Sequence, residues 1–441
     1  MQEKIVKTAL EKGADEVIVK IIERDDVQLR FSNNMGDIAN RWVSRNIMVF
    51  LALNGRTTGF EISRPENMEK EIEKGVEFAK KLPENPDFMG IYDGKLSPAG
   101  INFEPIDDEL SEYGKIAMDS ALSHKIKRVS GEIYLARHRI KIATNYNSAE
   151  EHRSYLITTA RAFNHEGNPG QASTHIADKG DLKRYGPEFV GDKAGKLAEM
   201  NVNVKEGEEG NFTVLLDPLC FGSTITEVGS ALSAFSVDSG MSFFVGKLGE
   251  KVASDVLTLY DDPHSPGSGM AGFDDEGKAT QKTITIEKGV LKSYLHSTST
   301  AKKYGVESTG NSKIGGGYFS PGGSIMPGFW QNRVEPGKRK MEDIMADIDR
   351  GLYIANTWYT RFQDRLKGDF STIPRDGIFY IEDGEIKEAW KGIRISENIL
   401  HMLENIRELS SELIPVDWWG ETVRTFAPYA LIDDVRITKA R

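Results

Sequence analysis

The apolar positions of residues 1–100 predict helices packed on antiparallel strands. Val27, Leu29 and Phe31 alternate with polar residues, which is the period of a strand with one buried face. The Asn54-Gly55 pair between two apolar runs is typical of a tight hairpin. The predicted elements are a helix over 1–13, strands over 17–22 and 27–31 joined at Arg24-Asp25-Asp26, a hairpin of strands 46–53 and 57–62, and a helix over 66–82.

Residues 101–204 repeat this order of elements without a repeat of the residues themselves. Leu110, Ala117 and Leu122 mark an apolar helix face, and short alternating runs follow them. The predicted elements are a helix over 108–125, strands over 131–136, 138–144, 154–163 and 171–177, and a helix over 190–200. This block therefore predicts a second layer of the same kind.

Residues 205–441 show a different pattern, in which short strands alternate with glycine-rich turns such as 315–317 and 321–323. Two helices are predicted from apolar residues at helical spacing. The first carries Met341, Ile344, Met345, Ile348 and Leu352, and the second carries Ile395, Ile399, Met402, Leu403 and Ile406. The predicted fold class is α+β, with two N-terminal helix and antiparallel-strand domains (1–100 and 101–204) and a β-rich C-terminal domain (205–441) with a few helices.

The composition of the chain disfavours several classes of protein. The 441 residues carry a formal net charge of -11, which disfavours a surface that tracks nucleic-acid phosphates. Cys220 is the single cysteine, so neither an intrachain disulfide nor a site of several thiolates can form. No apolar run approaches the roughly 20 residues of a membrane helix. We therefore expect a soluble cytoplasmic protein without direct contact to nucleic acid or membrane.

Two short motifs have the wrong context for their usual chemistry. The run Gly267 to Gly272 has the spacing of a dinucleotide fingerprint, but prolines precede it and a turn follows it. The fingerprint requires a strand before the first glycine and a helix after the last one. His165-Glu166 begins like a zinc-protease motif, but Pro169 prevents the helix that would align a second histidine. His165 and His175 could still meet across a hairpin.

The paired carboxylates Asp261-Asp262 and Asp274-Asp275 suggest acid or base chemistry at first sight. Neighbouring residues of an extended chain point to opposite faces, so turn and cap roles explain these pairs better. The pair Trp418-Trp419 is predicted to lie partly in the core and could line an interface.

Three long stretches, 242–263, 273–311 and 368–406, resemble the TldD/PmbA family in sequence, order and spacing. With the blocks upstream, the resemblance covers nearly the whole chain. It implies a dimer-forming fold whose C-terminal domain carries the active site. It also implies that TldD-type members bind zinc through a helical His-Glu-x-x-x-His motif and a cysteine near the C terminus. Such a site leaves one metal position open for a water that the glutamate deprotonates.

The corresponding position of this chain, counted back from Ser242, is 225–230. Ile225 has no donor atom, Thr226 is no general base at neutral pH, and Ser230 is a poor zinc ligand. Glu227 lies one residue away from the family's glutamate, which is about 100° around a helix.

The third ligand of the TldD-type site is also absent from the sequence. The stretch 411–437 contains no cysteine, and Cys220 precedes the motif in an apolar run that predicts a buried thiol. We therefore predict no catalytic and no metal-binding residue in this chain, with Ile225, Thr226 and Ser230 as the degenerate position. This pattern resembles the PmbA, or TldE, subfamily.

The leading hypothesis is a non-catalytic subunit of a heteromeric zinc metalloprotease that acts on unfolded or short peptides. The zinc is then expected in a TldD-type partner and not in this chain. The segments predicted to face a peptide are Ser308, Thr309, Gly310 and Asn311, and Asp369, Phe370 and Ser371.

Two alternatives remain open at the level of sequence. The chain could be a hydrolase with a non-zinc site that involves Asp261, Asp262, His264 or His296. It could also be a regulatory, peptide-binding homodimer that acts on another protein such as a topoisomerase, since the family name is linked to the control of DNA gyrase.

Overall fold

The computed structural model describes residues 1–96, 98, 101, 106–314, 325–418 and 421–440, with the backbone alone for 421–423. The fold is a mixture of helices and extended sheets, so the α+β prediction is confirmed. Within these ranges, no helix combines the length and the apolar character needed to cross a bilayer. The predicted glycine-rich turns at 315–317 and 321–323, and Trp419, lie outside the described residues.

The first block contains two helices and three strands, one of them 19 residues long. The predicted hairpin around Asn54-Gly55 and the two predicted helices are present with shifts of a few residues at their ends. The elements are α1 (Gln2–Glu11), β1 (Glu16–Ser32), β2 (Met35–Leu53), β3 (Arg56–Glu61), a 3-10 turn (Pro65–Asn67) and α2 (Met68–Ala79).

Strand β1 continues through Arg24-Asp25-Asp26, so the predicted break at these residues is wrong. Asp25 and Asp26 pair with residues of β2 along an unbroken ladder. The Asp25 carboxylate accepts two hydrogen bonds from Arg41 at 2.7 Å, and Asp26 accepts one from Tyr134 at 2.7 Å. Because neighbouring strands supply these partners, the charged run stays extended and does not turn.

The second block joins three antiparallel strands to three helices. The separate strands predicted at 131–136 and 138–144 are one strand, because β1 pairs with this segment on both sides of Arg137. The elements are α3 (Leu110–Leu122), β4 (Arg128–Thr144), β5 (Ser148–Phe163), β6 (Pro169–Ile176), α4 (Lys179–Tyr185) and α5 (Pro187–Met200).

The third block consists mostly of short strands. Its elements are β7 (Lys205–Glu206), β8 (Gly210–Leu216), α6 (Pro218–Ala231), α7 (Ala234–Asp238), β9 (Leu259–Asp261), β10 (Thr283–Glu287), β11 (Val290–Leu291), α8 (Thr298–Tyr304), β12 (Ser312–Ile314), β13 (Ile325–Pro327), β14 (Asn332–Val334), α9 (Met341–Ala346), β15 (Arg350–Asp364), β16 (Asp369–Glu382), β17 (Glu385–Lys391), β18 (Ile393–Asn398), α10 (Ile399–Glu404), β19 (Ile406–Leu409), β20 (Ile414–Trp418), β21 (Glu421–Ala427) and β22 (Ala430–Lys439).

Both helices predicted in this block are shorter than expected. Leu352 belongs to β15, where it pairs with Val214 of β8, and helix α9 ends at Ala346. Ile395 belongs to β18 and Ile406 to β19, so α10 spans only the residues between these strands. Apolar residues at helical spacing also fit strands buried on both faces, and sheet pairing decides between the two structures here.

One twelve-stranded sheet joins all three blocks. Its strand order is β11-β10-β9-β14-β21-β20-β6-β5-β4-β1-β2-β3. An eight-stranded sheet of the third block has the order β15-β8-β22-β18-β16-β17-β7, with β19 paired to β22. The predicted boundaries at 100/101 and 204/205 fall between elements, but the long sheet crosses both of them.

Helices cover one face of the long sheet. The helix pair α1/α2 packs on Val17, Val19 and Ile21 of β1, and α3/α5 packs over Phe31, farther along the same strand. All of these residues are odd-numbered, so they lie on the same face of the strand. Helix α6 covers that face at β20, where Gly222 lies against Val416.

Apolar clusters cover the opposite face of the sheet where β1 begins and β4 ends. Ile18 and Phe50 pack there with Ile91 and Ile314 in one apolar cluster. A second cluster joins Ile140 and Ile142 to Phe273. Beyond both clusters, toward Gln28 of β1 and Tyr134 of β4, the face is polar.

Helices α3 and α5 cross at very short range through glycine and alanine. A Cβ atom built on Gly191 would lie 2.1 Å from the Ala117 carbonyl oxygen, and one on Gly195 would lie 2.6 Å from that of Ala121. Both alanines are fully buried. Only residues without a Cβ atom allow the two backbones to approach this closely.

A buried ion pair links helix α5 to the start of helix α6. The Lys193 ammonium lies 2.7 Å from the Asp217 carboxylate, which also accepts a 2.6 Å hydrogen bond from Tyr353 and caps α6 through the Leu219 N–H. Burial acts to lower the pKa of Lys193, but Asp217 and Tyr429 hold that pKa above its ordinary value. Lys193 therefore stays charged inside the protein.

Candidate functional site

The degenerate motif position lies on α6, as predicted, but its residues do not share a face. Ile225 is fully buried in the main core. Thr226 is buried and donates to the Gly222 carbonyl at 2.9 Å, with the Thr425 hydroxyl 3.2 Å away. Ser230 is exposed and donates back to the Thr226 carbonyl at 3.0 Å. In this helix the side chain of Ile225 points into the core, whereas Ser230 faces solvent.

Glu227, the carboxylate next to this position, faces an arginine. Its Oε2 lies 3.6 Å from Arg365 in the hairpin loop between β15 and β16. Burial raises the pKa of Glu227, and Arg365 opposes this effect. Cys220 is buried on the same helix, and burial raises the pKa of its thiol to about 12. It is therefore a small apolar core residue, as predicted, and not a reactive thiolate.

The described part of the chain contains no group of three or more His, Cys, Asp or Glu side chains suited to a metal ion. His175 is buried on β6, where its Nδ1 accepts the Ser268 N–H at 3.1 Å. His165 is exposed in the turn after β5. His175 pairs with Ile157, six residues before the end of β5 at Phe163, so roughly 20 Å of strand separates this pair from the turn that contains His165. The two histidines do not meet across the hairpin.

The segment 308–311, predicted to face a peptide, lies inside the C-terminal domain. Ser308, Thr309 and Asn311 are all buried. Thr309 accepts the His296 N–H at 2.8 Å, and the Gly310 carbonyl accepts the Trp330 indole N–H at 2.9 Å. These two groups have partners within the chain, whereas the buried Oδ1 of Asn311 accepts no hydrogen bond from the described residues. The peptide-facing role of this segment stays a prediction, and it requires rearrangement because the segment is buried.

The segment 369–371 forms the start of β16 and also has partners within the chain. Asp369 accepts a 2.8 Å hydrogen bond from Asn398, and Ser371 accepts one from Arg394 at 3.1 Å. Phe370 is buried in the main core. The peptide-facing role of these residues likewise stays a prediction.

The paired carboxylates serve structural roles. The Asp261 carboxylate accepts the N–H groups of Trp330 and Gln331 and the amide of Asn311. Asp262 instead bonds within its own turn, to the His264 N–H and the Ser265 hydroxyl. As expected for adjacent residues, the two carboxylates have separate partners.

The second acidic pair ties the loop after β9 to other elements. Asp275 forms a 2.7 Å ion pair with Lys20 of β1. Asp274 accepts the Glu276 and Lys278 N–H groups. The ring of His264 bonds Thr280, whereas the ring of His296 packs against Tyr304. The residues of the hydrolase alternative thus have different partners.

The run 267–272 is a buried loop and not a nucleotide cradle. A Cβ atom on Gly269 would lie 2.2 Å from the Trp330 carbonyl oxygen, so packing explains this glycine. A turn over 275–277 follows the run where the fingerprint needs a helix. The rejection of this motif is consistent with the structure.

The polar face of the long sheet is a feature that the sequence interpretation missed. At its centre, the Asp26 carboxylate accepts one hydrogen bond from the Tyr134 hydroxyl at 2.7 Å. Its other oxygen lies 2.9 Å from Nε2 of His138. Burial acts to raise the pKa of Asp26, but His138 and Tyr134 hold it below its ordinary value. The rings of His138 and Tyr155 are nearly perpendicular, with their centroids 5.8 Å apart.

Strand β20 brings a further acid to this face. Val416 points toward α6, so the next residue, Asp417, points to the polar side. Burial raises the pKa of Asp417 to about 7, and Arg424 on β21 opposes this rise. The described residues place no cation within ion-pair distance of this carboxyl group. In β1 and β4 the polar residues of this face recur at even-numbered positions, which is the sequence pattern of such a face. The pattern was missed because each strand was predicted as two shorter strands.

The chain is similar to known proteins. Residues 209–439, just over half of the chain, match the PmbA/TldA metallopeptidase C-terminal domain. The chain belongs to the PmbA/TldD family. A metalloprotease of Methanothermobacter thermautotrophicus is 32% identical over 251 residues, which cover 57% of this chain and 53% of that protein. The chain thus spans about half the length of this relative.

Two further relatives extend along most of the chain. A metalloprotease of Methanocaldococcus jannaschii is 27% identical over 404 residues, 82% of this chain and 84% of that protein. The solved structure of TldE from Thermococcus kodakarensis has a TM-score of 0.84 at 22% identity and covers 99% of each chain. At this identity the structural likeness shows the fold. The family resemblance inferred from the three sequence stretches is therefore confirmed.

Asp417 makes the stability of this PmbA/TldD family member depend on pH. An aspartate of the unfolded chain has a pKa of 3.8, against about 7 in the folded chain. Between these values the unfolded state has lost a proton that the folded state keeps. Asp417 therefore makes its full contribution to the free energy of unfolding below about pH 4, and this contribution is lost as the pH rises to about 7.

We expect Asp417→Asn to abolish this loss, because the amide resembles the neutral acid and does not titrate. Urea unfolding at pH 5 and pH 8 should show that the free energy of unfolding of the variant, relative to that of the wild type, increases as the pH rises. Asp349→Asn, at an exposed position, serves as the control and should track the wild type. A constant difference between Asp417→Asn and the wild type at both pH values would contradict the raised pKa.

Proposed function

We propose that this chain is the non-catalytic, PmbA/TldE-type subunit of a zinc metalloprotease, assembled with a TldD-type chain and acting on unfolded or short peptides. The observation that carries the proposal is the motif position on α6. Ile225 supplies no donor atom and is part of the core, while the hydroxyl groups of Thr226 and Ser230 bond carbonyls of their own helix. Neutral isoleucine, threonine and serine are not the nitrogen, thiolate or carboxylate ligands that zinc prefers.

The contribution of such a subunit is geometric. It completes the enclosure around the partner's zinc site, holds that site in shape and contacts the extended peptide. The polar sheet face supports this role, because it offers donors and acceptors from several strands on one surface. Tyr155 and His138 lie half-buried near its centre, and Asp417 adds a carboxyl group that can be neutral near pH 7.

The proposal is tested by metal content and by reconstitution. The purified chain, without an affinity tag, should contain far less than one zinc per polypeptide and should not cleave an unstructured fluorogenic peptide. Addition of a TldD-type chain should give a heteromer with chelator-sensitive cleavage faster than that of the TldD-type chain alone.

Ser230→Ala is the matched variant for the reconstitution. It removes the hydroxyl group at the degenerate position without touching the core, and we expect unchanged zinc content and unchanged cleavage in the mixture. One tightly bound zinc per chain, lost in Ser230→Ala, would contradict the proposal. Chelator-resistant cleavage by the isolated chain would instead favour the hydrolase alternative.

A further inference from the structure

Two basic side chains at the polar sheet face have no carboxylate within ion-pair distance among the described side chains. Arg424 belongs to β21, where the next residue, Thr425, points toward α6, so Arg424 points to the polar side. Lys313 belongs to β12, and its ammonium donates a 2.5 Å hydrogen bond to the Phe329 carbonyl. Both side chains are only partly buried, so a ligand can reach them.

The two side chains lie close to each other and to a third cation. Nζ of Lys313 lies 4.4 Å from the centroid of the Trp330 ring, and Cζ of Arg153 lies 5.1 Å from the same ring. Burial, and after it the charge of Arg424, lowers the pKa of Lys313 to about 7. Burial raises the pKa of the Tyr155 phenol, and Arg424 opposes this rise. The cations therefore converge beside the Tyr155 hydroxyl.

The carboxylates nearest to Lys313 have other partners. Asp275 forms a 2.7 Å ion pair with Lys20, and Asp261 accepts two backbone N–H groups. Both carboxylates act to raise the pKa of Lys313, but neither lies within ion-pair distance of its ammonium. Like charges held together without a counter-ion destabilise a partly buried site. A bound anion would remove this repulsion.

We propose that Arg424 and Lys313 bind a carboxylate group of the substrate peptide, with the Tyr155 hydroxyl as a third donor. The inference rests on the proposed function, in which the polar sheet face contacts the peptide. A guanidinium and an ammonium both donate charge-assisted hydrogen bonds to a carboxylate. The hydroxyl of Tyr155 has no hydrogen-bond partner in the described part of the chain, so its proton is available to the ligand.

Asp417 favours a carboxylate over a phosphate as the ligand. It lies on β20 beside Arg424, because the preceding residue, Val416, pairs with Thr425. The pKa of Asp417 is about 7, so a part of this group is ionised at neutral pH. A phosphate group carries about −1.5 to −2 charges at that pH and would be repelled by this acid more strongly than a singly charged carboxylate.

Peptide binding to the isolated full chain tests this site without zinc and without a partner. One short unstructured peptide, labelled at its N terminus with an uncharged fluorophore, is prepared as the C-terminal acid, as the C-terminal amide and as an amide with an internal glutamate. Fluorescence anisotropy should show that one or both carboxylate forms bind roughly tenfold more tightly than the plain amide. Preference for the acid identifies the peptide C terminus as the ligand, and preference for the glutamate form identifies an acidic side chain.

Arg424→Gln and Lys313→Gln should each remove most of this preference and leave the affinity for the plain amide unchanged. Arg64→Gln and Lys4→Gln are the matched controls, because both side chains are exposed and lie outside the strands of the sheet. These two variants should bind all three peptides as the wild type does.

Urea unfolding without peptide separates ligand binding from a structural role. Each of Arg424→Gln and Lys313→Gln relieves the repulsion between the two cations, so its unfolding midpoint should equal or exceed that of the wild type. A lower midpoint, together with an equal loss of affinity for all three peptides, would show that these side chains maintain the fold and do not bind the ligand.

Three further results would overturn the carboxylate site. They are equal affinity for the three peptides, no measurable binding of any of them, and stronger competition by inorganic phosphate than by acetate. None of these results bears on the zinc content or the cleavage activity of the mixture with a TldD-type chain, which are measured separately. Conversely, a mixture without cleavage, in which the preference for carboxylate peptides persists, would count against the proposed function and not against this site.

Discussion

Asp217→Ala is expected to lower the free energy of unfolding by about 3–5 kcal/mol, because it leaves the Lys193 ammonium buried without its counter-ion. The same change removes the hydrogen-bond acceptor of the Tyr353 phenol and the cap of α6. The loss should appear as a lower midpoint of urea unfolding at pH 7.

The double variant Lys193→Met/Asp217→Asn should recover more than half of this loss. It removes both charges, while the asparagine retains the capping oxygen. Glu77→Ala breaks the exposed ion pair with Lys80 and should cost far less than Asp217→Ala. Equal losses for Asp217→Ala and Glu77→Ala would show that the buried ion pair contributes no more to stability than an exposed one.

Gly191→Val is the second change with a large expected effect, a loss of about 3 kcal/mol. The new Cβ atom would lie 2.1 Å from the backbone carbonyl of Ala117, and a backbone atom cannot move aside as a flexible side chain can. Helix α5 must therefore shift away from α3, which opens the core beneath both helices. Thermal and urea unfolding would measure the loss.

Lys196→Val provides the matched control for this substitution. It introduces the same β-branched residue into the same helix at an exposed position, so it should cost only the difference in helix propensity, below about 1 kcal/mol. Similar losses in both variants would mean that helix propensity, and not the α3–α5 contact, explains the effect.

Local signals explain the elements that the sequence predicted well. Asn54-Gly55 specifies its hairpin because this pair readily adopts the backbone angles of a tight turn, and both residues have positive φ. The apolar stripe of α3 is visible because an amphipathic helix repeats within one segment. The identity of Ile225 decides on its own that no metal ligand stands there.

Tertiary contacts explain the elements that were predicted wrongly. The charged run at Arg24 to Asp26 suggests a turn until Arg41 and Tyr134 supply partners from other strands. Leu352 fits a helix or a buried strand equally, and only its pairing with β8 and β16 settles the structure. Such partners are distant in sequence, so a local pattern cannot contain them.

The sequence by itself determined the family, the mixed α and β class, and the residue types at the degenerate motif position, because each of these depends on side-chain identity and local period. Only the tertiary structure decided that Ile225 and Ser230 face different directions and that Asp26 and Asp417 share a polar sheet face. The physical reason is that sheet pairing brings together strands that are far apart in sequence, as the pairing of Val416 in β20 with Thr174 in β6 shows. The direction and exposure of a side chain follow from that pairing.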